Sequence, residues 1–273
     1  MIGPLRKLLR GRQAPPTPPP AIPDGERVFA IGDIHGRSDL LRALIAAIAD
    51  EEQRRGPART TIILLGDLID RGPDSAGVLA LAREWQGQRA AAGLPMHILM
   101  GNHEDMLLES LERIEVLREF VKHGGKETIL SFGVTEQAYA QASWEELQAL
   151  LRAAVLGEWL DFIAGFEPMV RIGDYAFVHA GIRPGQPLNA QRDIDLRWIR
   201  EPFLSSPAPH GAVVVHGHTI TDAPALRANR IGLDTGAYAS GELTALLLEG
   251  TGRWFLATAD TGGTITTRLR DAT

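Results

Sequence analysis

Five apolar runs punctuate the chain: Val28 to Ile31, Thr61 to Leu65, Met96 to Met100, Tyr175 to Val178 and Ala212 to Val215. Each has the length of a short buried strand. Between the first two, Leu41, Leu44, Ile45 and Ile48 recur at helical spacing, and Gly56-Pro57 closes that helix. A second helix opens at Pro73-Asp74-Ser75 and runs toward Trp85. The alternation predicts a βαβαβ start, hence a parallel sheet. From His103 to about Gly165 the pattern turns helical, with Leu107, Leu111, Ile114, Leu117 and Val121 on one face. Ser143-Trp144-Glu145-Glu146 reads as a capping box opening a further helix. This region is read as a helical insertion, its His123-Gly124-Gly125 turn as a helix stop. Beyond Met169 the signal is short strands with glycine turns, among them Ile231 to Asp234, Leu243 to Leu248 and Trp254 to Ala257. The expected architecture is α/β, with two packed mixed sheets flanked by helices. Residues 1–12 are basic with a few leucines, and Ala14 to Pro20 favours extended polyproline geometry. Residues 1–23 are therefore expected to be a flexible tail and 24–273 the folded domain.

The short segment after each apolar run carries the chemistry. These segments are Gly32-Asp33-Ile34-His35-Gly36, Gly66-Asp67-Leu68-Ile69-Asp70-Arg71-Gly72, Gly101-Asn102-His103-Glu104, His179-Ala180-Gly181 and His216-Gly217-His218-Thr219. Open α/β sheets bind ligands at the carboxyl ends of their strands. Asp33 and His35 place two ligands on one tight turn, and Asp67 emerges from the neighbouring strand, able to reach the same ion and bridge to a second. Asn102 offers a neutral oxygen, and His179 and His218 would complete the second ion. Carboxylate, imidazole and amide ligands without sulfur suit Mn, Fe or Zn. Two ions ~3.5–4 Å apart can hold a water, lower its pKa and aim it at phosphorus. Arg71 suits bidentate contact with phosphate oxygens. His103 is placed to protonate a leaving group, with Asp70 orienting it. Glu104 could pair with Arg71 or stand as a solvated first-turn helix carboxylate.

Composition narrows the chemistry further. The 273 residues carry a formal net charge of −6 and no cysteine. The charge argues against a general nucleic-acid binder. The missing cysteine excludes disulfides and a cysteine-phosphatase mechanism. No apolar stretch approaches the ~20 residues of a membrane span, and no secretory signal is read, so cytoplasm is the expected compartment. The basic N-terminal stretch would support weak peripheral membrane contact at best.

Together these motifs resemble the calcineurin-like metallophosphoesterase superfamily. More narrowly, residues 27–240 resemble its phosphoprotein phosphatase family of serine/threonine phosphatases, in the bacterial and phage-lambda-phosphatase-like branch. The resemblance implies that Asp33, His35 and Asp67 hold one metal and that Asp67, Asn102, His179 and His218 hold the other. It implies His103 as general acid, Asp70 as its partner and Arg71 as phosphate clamp, with Mn²⁺ the favoured ion. A second clamp arginine is expected in Asp195 to Arg200, assigned to Arg200 with Arg197 as rival. Many phosphodiesterases of the superfamily end in Gly-His-x-His, whereas this chain reads Gly217-His218-Thr219-Ile220. The implied activity is hydrolysis of phosphomonoesters by a metal-bridging hydroxide, with phosphoserine and phosphothreonine proteins as substrates. Symmetrical dinucleoside-tetraphosphate hydrolases share most of the pattern but more typically carry Gly-Asn-His-Asp, so that activity is the alternative. A catalytically inactive binding scaffold is the reading from another class, and it should have lost a ligand or His103. Of the remaining histidines, His97 is expected in the core or sheet, His210 in solvent, and His216 beside a ligand carboxylate.

Overall fold

The apolar runs at Val28 and Thr61 become neighbouring parallel strands, in register from Glu26 opposite Arg59 to Ile31 opposite Leu64. A computed structural model of the chain describes residues 18–155 and 157–272. The basic stretch assigned to weak membrane contact lies outside the described residues. The strands are β1 (Glu26–Ile31), β2 (Arg59–Leu64), β3 (Met96–Ile98), β4 (Met169–Ile172), β5 (Tyr175–Val178), β6 (Val213–His216), β7 (Ala225–Leu226), β8 (Arg230–Gly232), β9 (Thr244–Glu249), β10 (Gly252–Thr261) and β11 (Thr264–Asp271). One sheet runs β11-β10-β9-β1-β2-β3 and the other β4-β5-β6-β8-β7. Parallel pairing joins β1 to β2 and β2 to β3 in the first sheet, and β5 to β6 and β6 to β8 in the second. Both sheets are mixed, and both present strand ends to one place.

Period-two alternation divides each strand between two cores. Val28 and Ala30 pack between the sheets with Tyr175, Phe177, Val215, Leu246 and Leu248. Phe29 and Ile31 face the helices, against Leu41, Leu44, Val78 and Leu79. Burial on both faces explains why these strands are continuously apolar. Val178, Val214, Leu196, Ile199 and Phe203 form a third cluster on the far side of the second sheet.

Helix α1 (Ser38–Arg55) buries Leu41, Leu44 and Ile48 and ends at Gly56, whose φ of 80° stops it. Helix α2 (Ser75–Ala91) is capped by Asp74, which accepts the Gly77 N–H, and runs on past Trp85. The face read from Leu107 to Val121 is not one helix. Helix α3 (Asn102–Ser110) gives way to a turn at Leu111 to Arg113, and α4 (Ile114–Phe120) restarts beyond it. The turn lets Leu117 and Phe120 join Leu147 and Leu151 in the cluster that already holds Leu107 and Leu111. The Ser143 capping box forms, with reciprocal bonds between Ser143 and Glu146. Pro20 to Pro23, read as tail, instead pack onto the domain. Ile22 is buried between the sheets and donates to Gly250, and Tyr175 Oη donates to the Pro20 carbonyl. Among the described residues no helix is long and apolar enough to cross a membrane.

Candidate metal centre

Because Ile31 and Leu64 are register partners, the turns after them meet side by side. The Asp67 carbonyl accepts the N–H groups of Ile34 and His35 at 3.0 and 2.9 Å. Among the described residues five non-glycines have positive φ: His35, Asp67, Asp70, Arg71 and His218. All five lie in the motif turns. Left-handed backbone at such residues costs ~1–3 kcal/mol each and persists where tertiary contacts enforce it. Two glycines are needed for close approach instead. A Cβ on Gly101 would overlap Asp67 Oδ1, and one on Gly217 would overlap Asp33 Oδ1.

The strand ends assemble two buried triads, His35-Asp67-His103 and Asp67-His179-His218, in each of which ligand atoms lie within 4.8 Å of one another. They share Asp67. His35 Nδ1 donates to the Ile69 carbonyl at 2.7 Å, which leaves the Nε2 lone pair facing the centre. His179 Nδ1 donates to the Leu65 carbonyl at 2.8 Å, and its Nε2 stands 3.0 Å from Asn102 Oδ1. A cation at that point would satisfy both the nitrogen lone pair and the amide oxygen. His218 Nε2 is buried without any partner. Burial first, then His179, lowers the His218 imidazole to about 3, so its lone pair is free. His35 is likewise lowered to about 3, chiefly by burial.

The carboxylates complete this arrangement. Asp33 accepts the His218 N–H at 3.0 Å, and burial, Asp234 and Asp67 together raise its pKa well above the usual range. Burial would raise Asp67 as well, but His179 and His103 outweigh it and hold the group well below its ordinary value. Crowded buried carboxylates, imidazole lone pairs and an amide oxygen form a site that two divalent cations sharing Asp67 would satisfy.

His103 Nδ1 lies 2.6 Å from Asp70 Oδ2, both groups buried. Burial pushes the imidazole down, yet Asp67 and Asp70 outweigh it and the net shift is upward. Asp70 is fixed by residues that motif reading missed. Thr128 Oγ1 donates to Asp70 Oδ1 at 2.5 Å, and the Asp70 N–H is shared between Ser75 Oγ and Thr128 Oγ1. Arg71 reaches between the imidazoles, with Nη1 2.9 Å from His35 Nε2 and Nη2 2.9 Å from His103 Nε2. Its guanidinium lies over the Tyr238 ring at 5.2 Å. The His123-Gly124-Gly125 turn does more than stop a helix, since the Gly124 carbonyl accepts the Arg71 N–H.

Several sequence expectations are corrected. Glu104 neither pairs with Arg71 nor meets solvent: its buried carboxylate accepts the N–H groups of Asp67, Leu68, Ile69 and Gly101, fixing the Asp67 turn. Burial, then Asp67, raises its pKa to about 7. His216 touches no ligand carboxylate. The left-handed backbone at His218 breaks the strand alternation, so His216 packs on Phe203 and contacts Arg230 on the far side. His97 does lie in a sheet as expected, half-buried in the edge strand β3 and 2.7 Å from Glu167 Oε1. His210 is half-buried rather than in solvent, against Asn229 and Phe203. Arg197 is engaged by Asp105 and Asp193, whereas Arg200 is exposed, pairs with no carboxylate among the described residues, and adds its charge to those depressing His218. Asp234 is a further buried carboxylate, on the loop that passes against the turn presenting Asp33. The signal for it was present, since Ile231 to Leu233 is another apolar run followed by Asp and a nearby Gly.

Comparison with known proteins agrees with this geometry. Residues 26–240 match the family model described as calcineurin-like phosphoesterase. The chain is 32% identical over 226 residues to serine/threonine-protein phosphatase 1 of Salmonella typhimurium, covering 80% of this chain and 89% of that one. It is 29% identical over 272 residues to a symmetrical bis(5'-nucleosyl)-tetraphosphatase of Methylococcus capsulatus, covering 82% and 92%. The fold is similar to that of the cold-active protein-tyrosine phosphatase of a psychrophilic Shewanella, at TM-score 0.56 and 20% identity over 90% of this chain and 82% of that one. The strand-end motifs, their convergence on Asp67 and the family match over most of the chain together make this protein a member of the calcineurin-like phosphoesterase family.

Proposed function

We propose that the protein is a metal-dependent phosphomonoesterase that dephosphorylates phosphoserine and phosphothreonine in proteins. The observation that carries this reading is the buried His103–Asp70 pair, 2.6 Å apart, set beside two triads that share Asp67. In this reading Asp33, His35 and Asp67 hold one divalent cation, and Asp67, Asn102, His179 and His218 hold the other, with Mn²⁺ the ion proposed. Bound cations supply a nucleophilic water of lowered pKa. Arg71 and Arg200 bind the non-bridging phosphate oxygens, fixing phosphorus in line for attack. With Arg71 turned from His103 Nε2 to the phosphate, His103, whose proton affinity Asp67 and Asp70 raise, would give an Nε2 proton to the departing serine or threonine oxygen. Asp70 holds the ring so that Nε2 faces that oxygen.

A cavity of about 440 Å³ opens beside Arg71, lined by Lys122, His123, Glu127, Ile220 and Tyr238. Its mixed lining and exposed Ile220 suit a side chain presented from a protein surface. A second reading is supported by the Lys122 ammonium and the His123 imidazole next to Arg71, which suit hydrogen bonding to the further phosphates of a dinucleoside polyphosphate, the substrate class named for the Methylococcus relative. The test is hydrolysis by Mn²⁺-loaded protein of a phosphoseryl peptide against diadenosine tetraphosphate at matched concentration. Higher kcat/KM for the peptide is expected. Preference for the dinucleotide would transfer the assignment, and no chelator-sensitive hydrolysis of any phosphoester, including p-nitrophenyl phosphate, would leave a binding scaffold.

A further inference from the structure

The loop after β8 carries a buried carboxylate that the roles above leave unused. Asp234 is 1% exposed. Its Oδ1 accepts the Gly236 N–H at 2.9 Å, while Oδ2 is enclosed and has no hydrogen-bond partner. An ionised carboxylate oxygen in that position is strongly disfavoured unless it takes up a proton or a cation answers it.

The loop runs along the metal centre on two sides. Leu233 O lies 2.7 Å from where a Cβ on Gly32 would stand, so the chain passes against the turn that presents Asp33. On the other side Thr221 N–H donates to the Asp234 carbonyl at 3.0 Å, tying it to the segment after His218. The residues assigned above are also uneven: three hold the cation at Asp33 and four hold its neighbour. Position 220, two residues beyond His218, is isoleucine and offers no donor.

We propose that Asp234 is a seventh metal-holding residue, whose free Oδ2 serves the cation held by Asp33. This rests on the reading of the site as a two-cation centre, and the experiment separates the two. Asp234→Asn keeps an acceptor for the Gly236 N–H and nearly the same volume while removing the charge. Mn²⁺ is titrated calorimetrically into metal-free wild type, Asp234→Asn and Asp234→Glu, with the bound metal counted after gel filtration. Wild type is expected to take up two ions. In Asp234→Asn one of the two should weaken ~10–100-fold, the usual cost of losing a group that supports a metal ligand set, while Asp234→Glu retains both. The metal-free asparagine variant should melt no lower than metal-free wild type, because Oδ2 has no protein partner to lose. A purely structural carboxylate gives the opposite pattern, a lower melting temperature with both affinities unchanged, and that result overturns the proposal. Wild type binding fewer than two ions overturns the two-cation reading and this inference with it.

Discussion

Asp70→Asn removes the charge from the buried 2.6 Å pairing of Asp70 Oδ2 with His103 Nδ1, while the Thr128 hydroxyl, which meets the other oxygen, can rotate to accept from an amide N–H. In the wild type, burial depresses the imidazole, and Asp67 with Asp70 more than compensates. A hydrogen bond to a charged group contributes about 1.5–3 kcal/mol. At 1.36 kcal/mol per pKa unit, that is a shift of about one to two units. Asparagine removes the charge but leaves the burial, so His103 gives up its proton at correspondingly lower pH. A general acid must be protonated to act, so the alkaline limb of kcat/KM should move down by about one to two pH units. The assay is a pH profile with saturating Mn²⁺ on two substrates, a phosphoseryl peptide and p-nitrophenyl phosphate. The nitrophenolate departs without a proton, whereas serine alkoxide needs one, so the peptide reaction should suffer more. An unmoved alkaline limb, or equal losses on both substrates, would refute the reasoning.

Asp67→Asn should reduce occupancy at both cation positions, because both triads share this carboxylate; full two-ion occupancy by metal analysis would contradict that. Arg200→Ala should weaken competitive inhibition by inorganic phosphate, whereas Arg197→Ala, which loses ion pairs with Asp105 and Asp193, should mainly lower thermal stability. The reverse pattern would exchange their roles. Metal-free protein should lose stability as pH rises from about 7.5 to 9. Over that range unfolded imidazoles, ordinarily at about 6.5, are nearly all neutral, and His35 and His218 near 3 and His216 near 4 are neutral when folded, so these three drop out. Glu104, raised to about 7 by burial and Asp67, and Asp33, raised well above its ordinary value, bind protons more tightly when folded, so their ionisation favours unfolding. His103 and His179, both raised on balance, act in the same direction. Scanning calorimetry across that range should show the fall and its reversal by Mn²⁺, and a rising melting temperature without metal would contradict it.

The parts of this structure legible in the sequence are those set by short-range chemistry. An apolar run followed by glycine and a ligand-type side chain states both a strand and what emerges from its end. The βαβαβ start comes from that pattern together with the Leu41 to Ile48 face. What escaped depends on partners far away in the chain. Asp105, which occupies Arg197, lies 92 positions before it. Glu104 became a buried anchor because the turn from Asp67 to Ile69 presents its N–H groups to it, a surface created only by tertiary packing. His216 was misplaced because period-two alternation assumes extended backbone, and at His218 φ is 64°. The break at Leu111 to Arg113 was hidden because a kinked pair of helices can bury the same residues as a straight one. Asp234 is the instructive case, since its local signal matched that of the metal-binding motifs and only its buried, unpartnered oxygen distinguishes it from an ordinary loop aspartate.

Anomalous diffraction at the manganese edge from Mn²⁺-loaded crystals bears most directly on whether Asp67 joins two cations. Two peaks ~3.5–4 Å apart are predicted on either side of Asp67, one beside Asp33 and His35 and the other beside Asn102, His179 and His218. A single peak, or a pair of which only one touches Asp67, would contradict the two-cation centre.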